Sequence, residues 1–186
     1  MRRRRSCRVR RVVLAALALL AACHRRVALD PIASVPTAPL PLAATVRVSE
    51  RTASYVYAAN SFMAGGANQW DIEVGQAITQ YADAYLAHAF EPGSDASVDI
   101  DLADFDIHDF EAHAAILFAV HRRDAELLRK TYECKGEGYA ARVVWGGAFA
   151  MKSSMRQTTD EALRSCFAQF LADARAQAPA WAAPAR

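Results

Sequence analysis

Residues 98–120 read VDIDLADFDIHDFEAHAAILFAV, and their alternation decides the fold class. Val98, Ile100 and Leu102 alternate with Asp99, Asp101 and Ala103, the period of a strand with one buried face. The phase then slips. Phe105 and Ile107 take the opposite parity, after which Phe110, Ala112, Ala114, Ile116, Phe118 and Val120 return to the first. A slip of one residue is the mark of a bulge or a tight crossing. The polar residues 121–124 suit a hairpin turn, beyond which Leu128, Lys130, Tyr132 and Cys134 share one face of a further strand. Gly136-Glu137-Gly138 ends it.

Working outward, residues 45–50 alternate through Val46 and Val48 as another strand, and residues 54–58 are a second candidate with Tyr55 and Tyr57 on one face. Residues 60–68, with Gly65-Gly66, read as a loop. A helix is predicted from Asp71 as N-cap, its stripe formed by Val74, Ile78, Tyr81, Tyr85 and Ala89, and residues 91–94 (EPGS) stop it. Val143, Val144 and Trp145 fit a short strand and Gly146-Gly147 a turn. The last helix starts near a capping box, Thr158 with Glu161, and its stripe runs through Leu163, Cys166, Phe167, Phe170, Leu171 and Ala174. The expected fold class is α+β: a mainly antiparallel sheet with two amphipathic helices packed on one face.

The N-terminus carries the clearest address. Seven arginines precede an apolar run over residues 12–22, too short for the roughly 20 residues of a stable membrane span. The run closes on Leu20-Ala21-Ala22-Cys23, which resembles the lipobox of bacterial lipoprotein precursors. That resemblance implies cleavage after Ala22 and acylation of Cys23. The domain boundaries follow: 1–22 signal peptide, 23–44 lipidated tether rich in Pro and Ala, 45–176 one α+β domain, 177–186 disordered tail. Removing residues 1–22 leaves 15 basic and 20 acidic side chains, a net charge of −5 with His neutral. Nucleic acid needs a cationic footprint, so no nucleic-acid partner is expected. Membrane contact is expected through the acyl chains.

Cys7 leaves with the signal and Cys23 is the lipidation residue, so Cys134 and Cys166 remain as a pair in a compartment that permits disulfides. The alternatives are a bridge or two buried free thiols.

One cluster raises a chemical question: Asp99, Asp101, Asp104, Asp106, His108, Asp109, Glu111 and His113. On a strand Asp104, Asp106 and His108 project to one side, where three such ligands could hold a divalent ion. The competing reading, which carries more weight, is a solvated face and a polar turn between two buried strands. His108 and His113 stand at i and i+5, not at the i and i+4 of a zincin helix. No GxSxG elbow, SxxK pair or phosphate-loop lysine is present, so no enzyme activity and no cofactor are expected. The aromatics, including Trp70 and Trp145, read as core, with either tryptophan able to serve as a contact residue.

The run 70–75 (WDIEVG) leading into an amphipathic helix ending at Phe90, and the β-meander followed by a Thr-initiated terminal helix, resemble YajG-type envelope lipoproteins and the auxiliary lipoproteins of ABC-type transporters. The resemblance implies an accessory or adaptor subunit without catalytic residues, with an envelope protein as partner. His24 follows Cys23 where lipoprotein sorting reads aspartate as an inner-membrane retention signal, which implies an outer-membrane, periplasm-facing location. The alternative expectation is a ligand- or metal-binding periplasmic lipoprotein.

Overall fold

The computed structural model describes residues 24–32, 38–61, 68–137 and 140–181. Cys7, the lipobox with Cys23, and Gly65-Gly66 lie outside the described residues.

The chain order is β1 (His24–Val27), β2 (Ala43–Val48), α1 (Glu50–Ala53), β3 (Tyr57–Ser61), β4 (Asn68–Ile72), α2 (Val74–Leu86), β5 (Glu91–Pro92), β6 (Ala96–His108), β7 (Glu111–Arg122), β8 (Ala125–Lys135) and α3 (Ala140–Trp181). The strands form two sheets, five strands in the order β5-β2-β6-β7-β8 and three in the order β1-β4-β3. The fold is α+β, and the sheets are mixed. The β6–β7–β8 meander is antiparallel, as expected, but β2 runs parallel to both β5 and β6, and β1 runs parallel to β4. Alternation specifies which face a strand buries; it carries no information about the direction of its neighbour. Parallel neighbours need a long crossover, and the chain between β2 and β6 supplies one that contains α1, β3, β4 and α2.

Four further expectations are corrected. Described residues of the expected Pro/Ala-rich tether 23–44 belong to the fold: β1 pairs with β4, and Val27, Leu29, Leu40 and Leu42 are buried. The tail is likewise ordered as far as Trp181, which is buried and whose carbonyl accepts from Arg122 Nη1 at 3.0 Å. The terminal helix starts at Ala140, so residues 143–145 are helical and Thr158 lies well inside. Its hydroxyl accepts from Ala112 N at 2.9 Å, and Glu161 accepts from Glu137 N at 3.0 Å, so the polar pattern of a cap makes tertiary contacts instead. At the other helix, Asp71 is part of β4 and the first helical residue is Val74.

The core lies between the five-stranded sheet and α2 and α3. Inward residues of β6 and β7, among them Val98, Ile100, Ile116 and Phe118, meet the stripe predicted for the last helix. Phe118 stacks on Phe170 with centroids 4.3 Å apart and meets Phe167 edge-on at 5.1 Å. Tyr81 of α2 stacks on Phe167 at 5.5 Å and donates to the Asp160 carboxylate. Burial and that carboxylate push the Tyr81 phenol well above its ordinary value. Cys134 on β8 and Cys166 on α3 lie at disulfide distance, Cα atoms 5.6 Å apart, tying the edge strand to the helix.

Candidate functional site

The phase slip in residues 102–105 is a bulge. Leu102 pairs with Ile116 and Asp104 with Ala115, leaving Ala103 as the extra residue. Inward-facing positions accordingly switch from Val98, Ile100 and Leu102 to Phe105. Bulges re-aim side chains and interrupt ladder pairing, and here α1 docks against the interruption. Ser49 caps α1 by accepting from Thr52 N at 3.3 Å, and its own amide donates to Ile100 O at 3.1 Å. The buried Thr52 hydroxyl accepts from Leu102 N at 2.8 Å. Ser49 also donates to the Asp101 carboxylate, and Arg51 Nη2 donates to Leu102 O at 3.0 Å.

Gly75 permits this arrangement. Its amide donates to Tyr55 O at 2.9 Å, and a Cβ there would lie 2.1 Å from Thr52 O. The first turn of α2 can therefore touch α1 only without a side chain at that position.

Beside the bulge opens a cavity of about 270 Å³ lined by Arg51, Thr52, Tyr55, Leu102, Asp104 and Phe105, with Ala103. Tyr57 braces its outer rim. Its hydroxyl donates to Asp106 Oδ1 at 2.6 Å and accepts from Ile107 N at 3.3 Å, and its ring meets Phe105 edge-on at 5.2 Å. Partial burial, then the Asp106 hydrogen bond, raises the Tyr57 phenol; burial, then the charges of Asp104 and Asp106, raises Tyr55. Both phenols stay protonated donors at neutral pH. The Ser49, Thr52 and Tyr57 hydroxyls are already committed to backbone or carboxylate partners, and the residues lining the cleft include no histidine or cysteine. The arrangement suits recognition: a guanidinium and a phenol beside an apolar floor.

Asp104, Asp106 and His108 do share the outward face, but they do not gather. Same-face residues of a strand are separated by two steps of about 3.3 Å each, so Asp104 and His108 sit too far apart for one ion with ligand distances near 2–2.6 Å. Asp104 Oδ1 accepts from Phe105 N at 2.9 Å, Asp106 Oδ1 from Ile107 N at 2.8 Å and from Tyr57, and exposed His108 lies beside Asp109 at 3.4 Å. Among the described residues no group of three or more His, Cys, Asp or Glu could hold a metal. Asp109 and Phe110, at φ 49° and 67°, are the hairpin turn between β6 and β7, so Glu111 and His113 already belong to β7. Two successive residues with positive φ give the twist a two-residue hairpin needs. Trp70 is buried.

Sequence reasoning picked out Asp101, Asp104 and Asp106 but not Arg51, Thr52 or Tyr55. The phase slip was the available signal, since it marks where the ladder opens to receive another element.

No protein-family model and no curated protein sequence matches the chain. Among solved structures the chain is similar to a candidate lipoprotein from Caulobacter crescentus CB15, at 13% identity and TM-score 0.44 over 60% of this chain and 87% of that one. It is also similar to a Xanthomonas campestris protein of family DUF330, at 14% identity and TM-score 0.42 over 82% and 98%. A third likeness is to the hypothetical protein CT253 of Chlamydia trachomatis, at 12% identity and TM-score 0.30 over 82% and 99%.

Proposed function

We propose that the protein is an envelope lipoprotein held at the outer membrane by acyl chains on Cys23, its domain facing the periplasm. There it acts without catalysis, as an accessory or adaptor subunit of a transport or assembly complex. The observation that carries this reading is the order of features in residues 1–23: arginines, a short apolar run, Leu20-Ala21-Ala22, then Cys23. Two others support it. Cys134 and Cys166 stand at disulfide distance, which suits an oxidising compartment. Among the described residues no helix is long and apolar enough to cross a membrane, so attachment would rest on the acyl chains. The cleft beside the β6 bulge is the contact surface such a subunit offers a partner.

Mass spectrometry of the membrane-extracted protein, run beside a Cys23→Ser variant, tests the anchor. The expected result is a mature chain starting at an acylated Cys23 in the outer-membrane fraction, with the variant unprocessed and unacylated. An unmodified cysteine in the parent protein overturns the reading.

A further inference from the structure

We propose that the β1 end of the three-stranded sheet rests on the phospholipid headgroup layer, so that the domain works in contact with the bilayer. The proposal builds on acylation of Cys23 and adds where the domain sits once anchored. An extended segment over residues 23–44 would let the domain stand off by up to about 79 Å at 3.3–3.6 Å per residue. The fold removes that freedom. β1 begins at His24, the residue after Cys23, and pairs with β4 at four consecutive positions from His24↔Gln69 to Val27↔Ile72. Val27 is fully buried and its carbonyl accepts from Glu73 N at 3.2 Å, which anchors the far end of the strand. One peptide unit, about 3.8 Å between Cα atoms, separates the acylated residue from the sheet.

The register gives the rows of the sheet that lie nearest the anchor. His24, Gln69 and Asn60 form the first row across the three strands, and Arg25 with Trp70, then Arg26 with Asp71, form the next two. Two arginines, Arg25 and Arg26, follow directly on Cys23 and His24 in a mature chain of net charge −5, with Arg26 exposed and only loosely paired to Glu73 at 3.7 Å. Lipid phosphates attract such residues, while the acidic remainder of the domain is repelled from an anionic surface. The sheet is short. Val27, Ile72 and Tyr57 form its last row, three steps or about 10 Å beyond the first. The Tyr57 hydroxyl that braces the cleft is therefore about one small sheet's height from the anchor.

The test uses the full acylated protein in vesicles of phosphatidylethanolamine and phosphatidylglycerol with a nitroxide-headgroup lipid as quencher. An environment-sensitive fluorophore is attached at Arg26→Cys or, for comparison, at Arg129→Cys on β8. Quenching is expected to be several-fold stronger at position 26. A Gly/Ser insertion of about 12 residues between Cys23 and His24, reaching roughly 20 Å, should reduce it to the level seen at position 129, with the acylation of Cys23 and vesicle binding unchanged. Equal quenching at both positions of an acylated, vesicle-bound protein, or no effect of the insertion, overturns the proposal and leaves the anchor standing. An unacylated terminus overturns both.

Discussion

The two sides of this molecule are held by different forces. Over α3, the five-stranded sheet is closed by stacked rings (Phe118, Phe167, Phe170, Tyr81) and by the paired cysteines at its edge strand. Around α1, the connection is mostly polar: Thr52 to Leu102, Ser49 to Asp101, Arg51 to Leu102, Tyr57 to Asp106. Apolar burial is close-packed and tolerates little loss of volume. Each hydrogen bond adds only about 1 kcal/mol net but fixes a geometry. The aromatic side thus holds most of the stability, and the polar side sets the shape of the cleft.

The largest expected effect is on the aromatic side. Phe118→Ala removes a fully buried ring in contact with three others and should cost about 3–5 kcal/mol in denaturant unfolding. A loss below about 1 kcal/mol would break the comparison, because Phe118 would then weigh no more than a single hydrogen bond. Next comes Gly75→Ala. Alanine is the better helix former by about 1 kcal/mol, but its Cβ would meet two backbone oxygens, Thr52 O at 2.1 Å and Ala53 O at 2.6 Å. Backbone cannot step aside as a flexible side chain can, so a net loss of about 1–3 kcal/mol is expected. Amide chemical-shift changes should concentrate at Arg51, Thr52 and Tyr55. Changes spread evenly over the aromatic core would show that the two sides are one cooperative unit.

This division also explains how far the sequence could be read. The meander, its bulge at Ala103 and the stripe of α3 were legible because each buries one face, and burial writes a period into the residues. The same argument placed Cys134 and Cys166 towards each other. The polar side has no such period. His24-Arg25-Arg26-Val27 reads as the start of a tether because a four-residue strand beside another short strand shows no alternation, and Gly146-Gly147 reads as a turn although the backbone there is helical. In the site, Asp104 and Asp106 were visible as a charged face. Arg51, Thr52 and Tyr55 arrive from about fifty residues earlier through a crossover, and no local pattern announces a crossover.

The smallest expected effect separates the two sides by pH. Asp173 on α3 accepts from Lys130 Nζ at 2.7 Å and from Tyr132 Oη at 2.9 Å. Those two donors, Lys130 first, hold its carboxyl below the ordinary 3.8. A carboxylate whose folded value is depressed stabilises the fold above its unfolded value, and that contribution disappears as pH falls through the folded value. Stability should therefore decline as pH drops below about 4, and Asp173→Asn should flatten this part of the acid limb. Because the pair is largely in water, the change is small and shrinks further in high salt. The Tyr132 phenol, raised by burial and then by Asp173, behaves oppositely: its contribution is intact below its ordinary value of 10 and fades as pH rises through the raised one. If parent and Asp173→Asn lose stability in parallel on the acid side, the Lys130–Asp173–Tyr132 contact contributes nothing measurable. The α3 side would then owe still more of its hold to burial and the cysteine pair, which makes its contrast with the polar α1 side sharper.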